Sequence, residues 1–263
     1  MKKIILQAIT LAILFFSIWF ALRQVPWMNY FKIADRTQQL ENKLGDLFWQ
    51  TYKSTQVSKD SGASYRALEL ITDRLCKANH IDRNTIKIHL LINPEVNAFA
   101  LPDGHLVVNS GLLEASQNAE EVAGVVAHEL VHITHQHVMN KMIKEVGLSV
   151  LISMSSVGNQ SEAIRKLLQT LSSSSFDRSL EKEADLIAVD YLAKAQINPK
   201  PLGAFLIRIT EKAKNGEATL LEWISTHPDA HERAGYIQKK AKKIPSNWKV
   251  IYSAEEWEDI IHS

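Results

Sequence analysis

The chain has 263 residues, 46% apolar and 22% charged, which is ordinary for a globular protein and long enough for one substantial core with an appendage. A net charge of +1 excludes the basic excess expected of a nucleic-acid binder. The single cysteine, Cys76, excludes an internal disulfide and reads, within the helical pattern ALELITDRLCKANH, as a small buried hydrophobe.

In chain order, Lys2 and Lys3 precede an apolar run from Ile4 to Leu22, broken only by Gln7, Thr10 and Ser17. About 20 residues of helix span a bilayer core. The run ends SIWFALRQVPW, which lacks the small-residue pattern of a cleavage site. Residues 1–24 are therefore expected to form an uncleaved membrane anchor. The two lysines before it favour a cytoplasmic N-terminus. That places the rest outside the cytoplasm, as a single-pass protein of a bacterial inner membrane with its main domain in the periplasm. Residues 25–60 read as a helical juxtamembrane segment, 61–243 as the main domain and 244–263 as a tail.

The pattern from Tyr30 to about Gln56 predicts a polar helix, and Ser64 to Ala78 a second. TIKIHLLI predicts a strand, ended by Asn93-Pro94. NAFAL and HLVVN predict two strands joined by Pro102-Asp103-Gly104, residues suited to a hairpin turn. SQNAEEVAGVVAHELVHITHQHVMNKMI predicts one long central helix, capped by Ser116 or Asn118. GLSVLISMSSVG is too short to span a bilayer and predicts a packed helix or a lip over a cleft. SSSS at 172–175 reads as a flexible joint. Further helices are expected from about Asp177 to Ala195, Pro201 to Lys214 and Ala230 to Lys243.

The central helix carries HELVH. His128 and His132 are four apart, so they project from one face and can meet one zinc ion. Glu129, beside the first ligand, can take a proton from the attacking water and hand it to a leaving amine. A third ligand is needed. The glycine and third histidine of metzincins are replaced by His135 and Val138, so that arrangement fails. His135 lies on the right face, but roughly 4.5 Å further along an unbroken helix. His137 points to the opposite side of such a helix and reads as structural. LEKEAD is the better source: Glu181 can ligate, and Asp185, four residues on, can accept the second ring N–H of a ligating histidine. Two histidines, one glutamate and an open position make a catalytic zinc site with one ion per chain.

Four separated pieces then resemble, in order, the HtpX-like, Oma-type and CAAX-prenyl-endopeptidase family of zinc metalloproteases, in the gluzincin group. They are NAFALPDGHLVVNSGLL, HELVH, FDRSLEKEAD and STHPDAHERAGYI, spanning about residues 97 to 237. Asp177, where serine is common, and Gln136, where a basic residue is usual, depart from the pattern without removing a catalytic group. The resemblance implies an α+β, mainly helical, gluzincin-like zinc metalloprotease domain with a small antiparallel β-sheet at the substrate cleft, to which the apolar run Ile4–Leu22 adds the expectation of one N-terminal transmembrane helix. It implies that His227 lies over the open side of the zinc as an electrophile toward the oxyanion, and that Arg233 orders that segment. His231 is a rival to His227. The resemblance also places substrate binding at Asn97 and Ala98 and along Leu106, Val107, Val108 and Asn109, a strand expected to pair with an extended polypeptide.

The expected function is a membrane-anchored zinc endopeptidase that hydrolyses membrane or envelope proteins in protein quality control. Its partners are a polypeptide substrate and, through the first helix, the membrane; no nucleic-acid partner is expected. A chaperone-like or scaffolding protein of the same fold is the alternative. Glu129 argues against it, because a pure binder has no need of a general base. A CAAX-processing enzyme would have several membrane spans, and this chain shows one.

Overall fold

The computed structural model describes residues 33–155, 162–173, 175–217, 225–245 and 247–262, with residues 3, 7, 15–17 and 219 besides. The expected anchor falls outside the described residues, apart from residues 3, 7 and 15–17, which are helical. Among the described residues no helix is long and apolar enough to cross a membrane. Contacts divide the chain into Met1–Leu40 and Glu41–Ser263, and the second unit carries the sheet and the centre described below.

Helix α1 (Ile33–Thr55) leads to strand β1 (Ser58–Lys59), helix α2 (Ala63–Asn79) and strands β2 (Lys87–Leu91), β3 (Ala98–Ala100) and β4 (His105–Asn109). The strand order is β1-β2-β4-β3. β3 pairs antiparallel with β4, whereas β2 pairs parallel with β4, so the sheet is mixed rather than antiparallel as expected. The reason is topological. The chain passes from β2 directly to the far edge, and the β3–β4 hairpin brings β4 back between them. Asp103 and Gly104 at the hairpin turn have φ of 62° and 71°. A Cβ on Gly104 would lie 1.8 Å from the Thr85 carbonyl oxygen, so only glycine fits.

Helices α3 (Ser110–Ala115), α4 (Ala119–Thr134) and α5 (His137–Val146) follow. Asn118 caps α4 by accepting the Glu121 N–H at 3.0 Å. Val122, Val125, Val126, Leu130 and Val131 make α4 apolar all round, and it is buried accordingly between α2, the sheet and two later helices. These are α8 (Arg178–Lys194) and α9 (Lys200–Lys214). Gly124 admits the close approach of α9: a Cβ there would lie 2.8 Å from the Leu202 Cβ.

The long helix expected through HELVHITHQHVMNKMI is broken. Gln136 adopts the left-handed conformation, φ 54°, and α5 starts afresh at His137. Helix α6 (Leu148–Met154) buries Leu151 but exposes Leu148, Val150 and Ile152, so it packs along one narrow line. Helix α7 (Glu162–Ser173) runs into the serine tract, so Ser172 and Ser173 are helical rather than part of a joint.

Helix α10 (Ala230–Ala241) packs on α9 and α8. The last stretch is folded too. Helix α11 (Ala254–Ile261) begins with a capping box of Ser253 and Glu256, and buries Trp257 in the main core. The Trp257 indole N–H donates to the Ser116 carbonyl at 3.2 Å, tying the chain's end to the turn before α4. Trp257→Ala in the full chain is expected to lower the unfolding free energy by about 3–5 kcal/mol, read by urea denaturation. A change within about 0.5 kcal/mol, as for an ordinary surface site, would mean that α11 is not docked there.

Candidate metal centre

Helix α4 presents His128, Glu129 and His132; α8 presents Glu181 and Asp185; the segment before α10 presents His227; α10 itself presents Arg233. All seven are buried. His128, His132, Glu181 and His227 each offer a donor atom within 4.8 Å of the others.

Their geometry fits a metal ion. The Nε2 atoms of His128 and His132 face each other at 3.1 Å. Two imidazole nitrogens on one tetrahedral zinc, each at 2.0–2.1 Å, lie about 3.3 Å apart. The Glu181 oxygens are 3.6 Å from His128 Nε2 and 3.5 Å from His132 Nε2. His128 Nδ1 lies 3.0 Å from Asp185 Oδ1. An ionised carboxylate only accepts, so Nδ1 carries the proton and the Nε2 lone pair is left facing the cluster. His132 Nδ1 lies 3.1 Å from His137 Nδ1. His137 therefore sits beside a candidate ligand and not on the opposite side. The break at Gln136 turns it back. His135, at the end of α4, is exposed and outside the cluster.

Arg233 organises the far side. Its Nε and one terminal nitrogen each donate to Asp185 at 2.8 Å, and its other terminal nitrogen lies 3.0 Å from Glu181 Oε2 and donates to the His227 carbonyl at 3.1 Å. The Tyr236 hydroxyl also donates to Asp185. The expected ordering of the late segment by Arg233 thus has a geometric counterpart. His231 is exposed and away from these contacts.

Burial would raise the Glu181 carboxyl, but the ring of His227 and the charge of Arg233 outweigh it and hold it well below the usual carboxylate range. Asp185 is likewise lowered, burial being outweighed by Arg233. Burial holds His132 neutral, down at about 3. His128 shifts the other way: burial lowers it, and its bond to Asp185 more than compensates. Glu129 is pushed up to about 8, by burial first and by the charge of Glu181. A cation bound to the adjacent imidazoles acts in the opposite direction on it.

One contact of Glu129 has no sequence signal: its Oε2 accepts the Ala100 N–H at 3.0 Å. Ala100 belongs to β3, the strand at the sheet's edge. Asn109 N–H donates to Asn97 O and Leu101 N–H to His105 O, so alternation turns the backbone groups of Ala98 and Ala100 away from β4. This corrects the expectation for Leu106, Val107, Val108 and Asn109. Their strand is flanked on both sides and wholly buried, so its backbone has no room for a substrate. The edge strand of the sheet is Ala98–Ala100, next to Asn97; Asn97 and Ala98 are buried, and Phe99 and Ala100 are half-buried. A cleft runs beside it, lined by Phe99, Ala100, Glu129 and His227 among others.

A second group of donors, Asp46, Asp103 and His105, is different in kind. The Lys87 ammonium lies 2.5 Å from Asp103, 3.3 Å from His105 Nε2 and 3.8 Å from Asp46. That group already has its cation. At the first, donors converge from two helices and a loop around Nε2 atoms.

Fold and centre together define a metallopeptidase domain with HExxH on one helix and a carboxylate on another. Comparison with known sequences is more particular: residues 63–241 match the profile of Peptidase family M48, and the chain belongs to that family. It is 26% identical over 210 residues to the mitochondrial metalloendopeptidase OMA1 of Bos taurus, covering 73% of this chain and 40% of that protein. It is 28% identical over 183 residues to the beta-barrel assembly-enhancing protease of Escherichia coli (strain K12), covering 64% of this chain and 36% of the other. The mitochondrial metalloendopeptidase OMA1 of Arabidopsis thaliana is 26% identical over 194 residues, covering 74% and 39%. The chain spans about two fifths of the length of these curated relatives.

Arg233→Met leaves Asp185 and Glu181 buried without their cation. In metal-free protein it is expected to cost about 3–5 kcal/mol of unfolding free energy near neutral pH. The deficit should narrow on acidification. In the wild type the folded Asp185 carboxyl is lowered, so its stabilisation is lost as pH falls toward that value; in the variant, protonation relieves an uncompensated charge. Urea titrations at several pH values read both effects. A deficit that widens at low pH contradicts this assignment.

Proposed function

We propose that the protein is a membrane-anchored zinc metalloendopeptidase that hydrolyses peptide bonds of membrane or envelope proteins. The observation that carries this reading is the convergence of His128 Nε2, His132 Nε2 and the Glu181 carboxylate, with the Glu129 carboxylate beside them at the mouth of a cleft. His128, His132 and Glu181 would hold one zinc ion, with Asp185 orienting His128 and Arg233 holding Asp185. Zinc bound there supplies Lewis acidity toward a water and a carbonyl. Glu129 is the general base: its Oε1 faces the cleft, 3.6 Å from His227 Nε2, while its Oε2 is fixed by Ala100.

His227 is assigned to the oxyanion. In the structure its Nδ1 lies 2.9 Å from Glu181, so a neutral ring donating there keeps a lone pair on Nε2. Donation from Nε2 to an oxyanion requires the other tautomer or the imidazolium. The substrate is assigned to the edge strand, beside Ala98 and Ala100 and next to Asn97, where main-chain hydrogen bonds recognise an extended chain of any sequence.

The anchor rests on the apolar run Ile4–Leu22, and the inner-membrane, periplasmic placement on the two lysines before it. A role in protein quality control follows from an edge that reads backbone and a domain held at a membrane. Binding without turnover is disfavoured by Glu129.

Glu129→Gln is expected to keep one zinc per chain by elemental analysis while casein cleavage falls by at least about a thousandfold, in line with removal of a catalytic group. Glu181→Ala is expected to lose most of the zinc, and activity with it. Unchanged zinc and activity after Glu181→Ala would remove Glu181 as a ligand; unchanged proteolysis after Glu129→Gln would remove the mechanism.

A further inference from the structure

The outer nitrogens of the two histidines on α4 are engaged differently. His128 Nδ1 faces a carboxylate, Asp185, at 3.0 Å. His132 Nδ1 faces another imidazole, His137 Nδ1, at 3.1 Å. An ionised carboxylate only accepts, so its partner settles the tautomer of His128. An imidazole nitrogen can give or take. The tautomer of His132 therefore depends on which ring supplies the proton between the two Nδ1 atoms.

The two choices have opposite consequences. If His137 donates, a neutral His132 carries its own proton on Nε2, aimed at His128 Nε2 3.1 Å away, and has no electron pair for a metal. If His132 donates, its Nε2 pair faces the cluster, and a neutral His137 carries its proton on Nε2. A carboxylate favours the second choice. His137 Nε2 lies 3.9 Å from Glu183 Oε2. That is too long for a direct hydrogen bond, yet close enough for the negative charge to favour a proton on the nearer nitrogen. The Glu183 side chain is 47% exposed, so solvent keeps the effect modest. Helix α8 thus addresses both rings: Asp185 acts on His128 directly, and Glu183 acts on His132 through His137.

The backbone points the same way. His137 is buried, and it faces His132 because Gln136, just ahead of it, adopts the left-handed conformation at φ 54°. Residues other than glycine seldom take that conformation, and those that do cluster at functional sites. A ring needed only to fill space beside His132 would be replaceable by an apolar group of similar volume.

We propose that His137 is a positioning residue for the metal. It accepts the His132 Nδ1–H and so fixes the tautomer whose Nε2 can ligate, with Glu183 holding His137 in the accepting form. This rests on the zinc centre of the peptidase reading above and adds the partner that makes His132 a ligand.

The test uses the full chain. Zinc affinity is read by competition with a chelating dye, and stability by urea denaturation of the metal-free protein. In His137→Leu, the His132 Nδ1–H that ligation requires is buried without an acceptor. Metal-free protein escapes that cost by keeping the proton on Nε2, toward His128. Zinc affinity is therefore expected to fall by at least about tenfold, the scale of a lost partner behind a ligand, while metal-free stability stays near that of the wild type. His137→Gln, whose amide carbonyl can accept the same proton, should recover most of the affinity. Glu183→Gln should weaken binding by about two- to fivefold, the scale of an exposed charge. Nitrogen-15 NMR of histidine-labelled, zinc-loaded wild type should show His137 protonated on Nε2 and not on Nδ1. That measurement needs no substitution, so it stands even where His137→Leu fails to fold. A proton on His137 Nδ1, wild-type affinity in His137→Leu, or a loss in His137→Gln as large as in His137→Leu overturns the proposal.

Failure of the peptidase reading gives a different pattern. A chain that shows this order of zinc affinities but cuts no peptide supports the role of His137 and removes the peptidase. A chain that cuts peptides while His137→Leu binds zinc as tightly as the wild type removes the role of His137 alone. A wild type that binds no zinc overturns both.

Discussion

The pair of Asp185 and Arg233 is the contact on which the centre depends. Arg233 reaches both Asp185 oxygens, Glu181 and the main chain of His227. Asp185 in turn holds the ring of His128. One guanidinium thus binds α8 and α10 to the segment carrying His227, and through Asp185 it reaches α4. Burying such a pair brings little net stability, since desolvation offsets most of the attraction. What it does bring is direction. The planar guanidinium accepts a carboxylate in one orientation, and that orientation determines which ring nitrogen of His128 keeps its lone pair. A hydrophobic replacement of equal volume could hold the helices together but could not select the tautomer.

The same economy of charge explains why the two donor clusters differ. At Asp103 and His105 the chain supplies its own cation, Lys87, and the rings are left neutral beneath it: burial brings His89 to about 3 and His105 to about 4. His105 Nδ1 lies 2.8 Å from His89 Nε2, and Trp49 stacks on His89 at 3.6 Å. These contacts serve to pack Trp49 of α1 on the sheet. At His128 and His132 the outer nitrogens are engaged by Asp185 and His137, while the inner ones converge. A fold that needed these residues only for packing would have no cause to aim both Nε2 atoms at one point.

Much of this was legible in the sequence, because it depends on local period and spacing. The i, i+4 pairs His128/His132 and Glu181/Asp185 lie on the faces that helical geometry dictates. The hairpin turn followed from Pro102-Asp103-Gly104. What was not legible depends on a choice that the local sequence leaves undetermined. Gln136 adopts the left-handed conformation without being glycine or asparagine, and that single residue ends α4 and redirects His137 to His132. The parallel pairing of β2 with β4 is likewise invisible locally, since the same strand patterns fit an antiparallel meander. Once β4 is central, the edge passes to β3, and with it every expectation about where a polypeptide could pair. Trp257 was hidden for a third reason: its partner, Ser116, is 141 residues away in the chain.

The position of the edge also bears on catalysis. Glu129 is anchored by the outward N–H of Ala100, so the carboxylate is referenced to the backbone of the strand that, on the proposed reading, carries the substrate. A peptide added to β3 would be placed in register by Ala98 and by the carbonyl of Ala100, whose N–H is already given to Glu129. Its distance from the base would then be set by one rigid element rather than by a chain of loops. The arrangement links two quantities that could have varied independently, substrate register and base position. The link costs no separate device, because a main-chain donor at a sheet edge must find an acceptor somewhere. Here the acceptor is the buried carboxylate that the reaction needs held still.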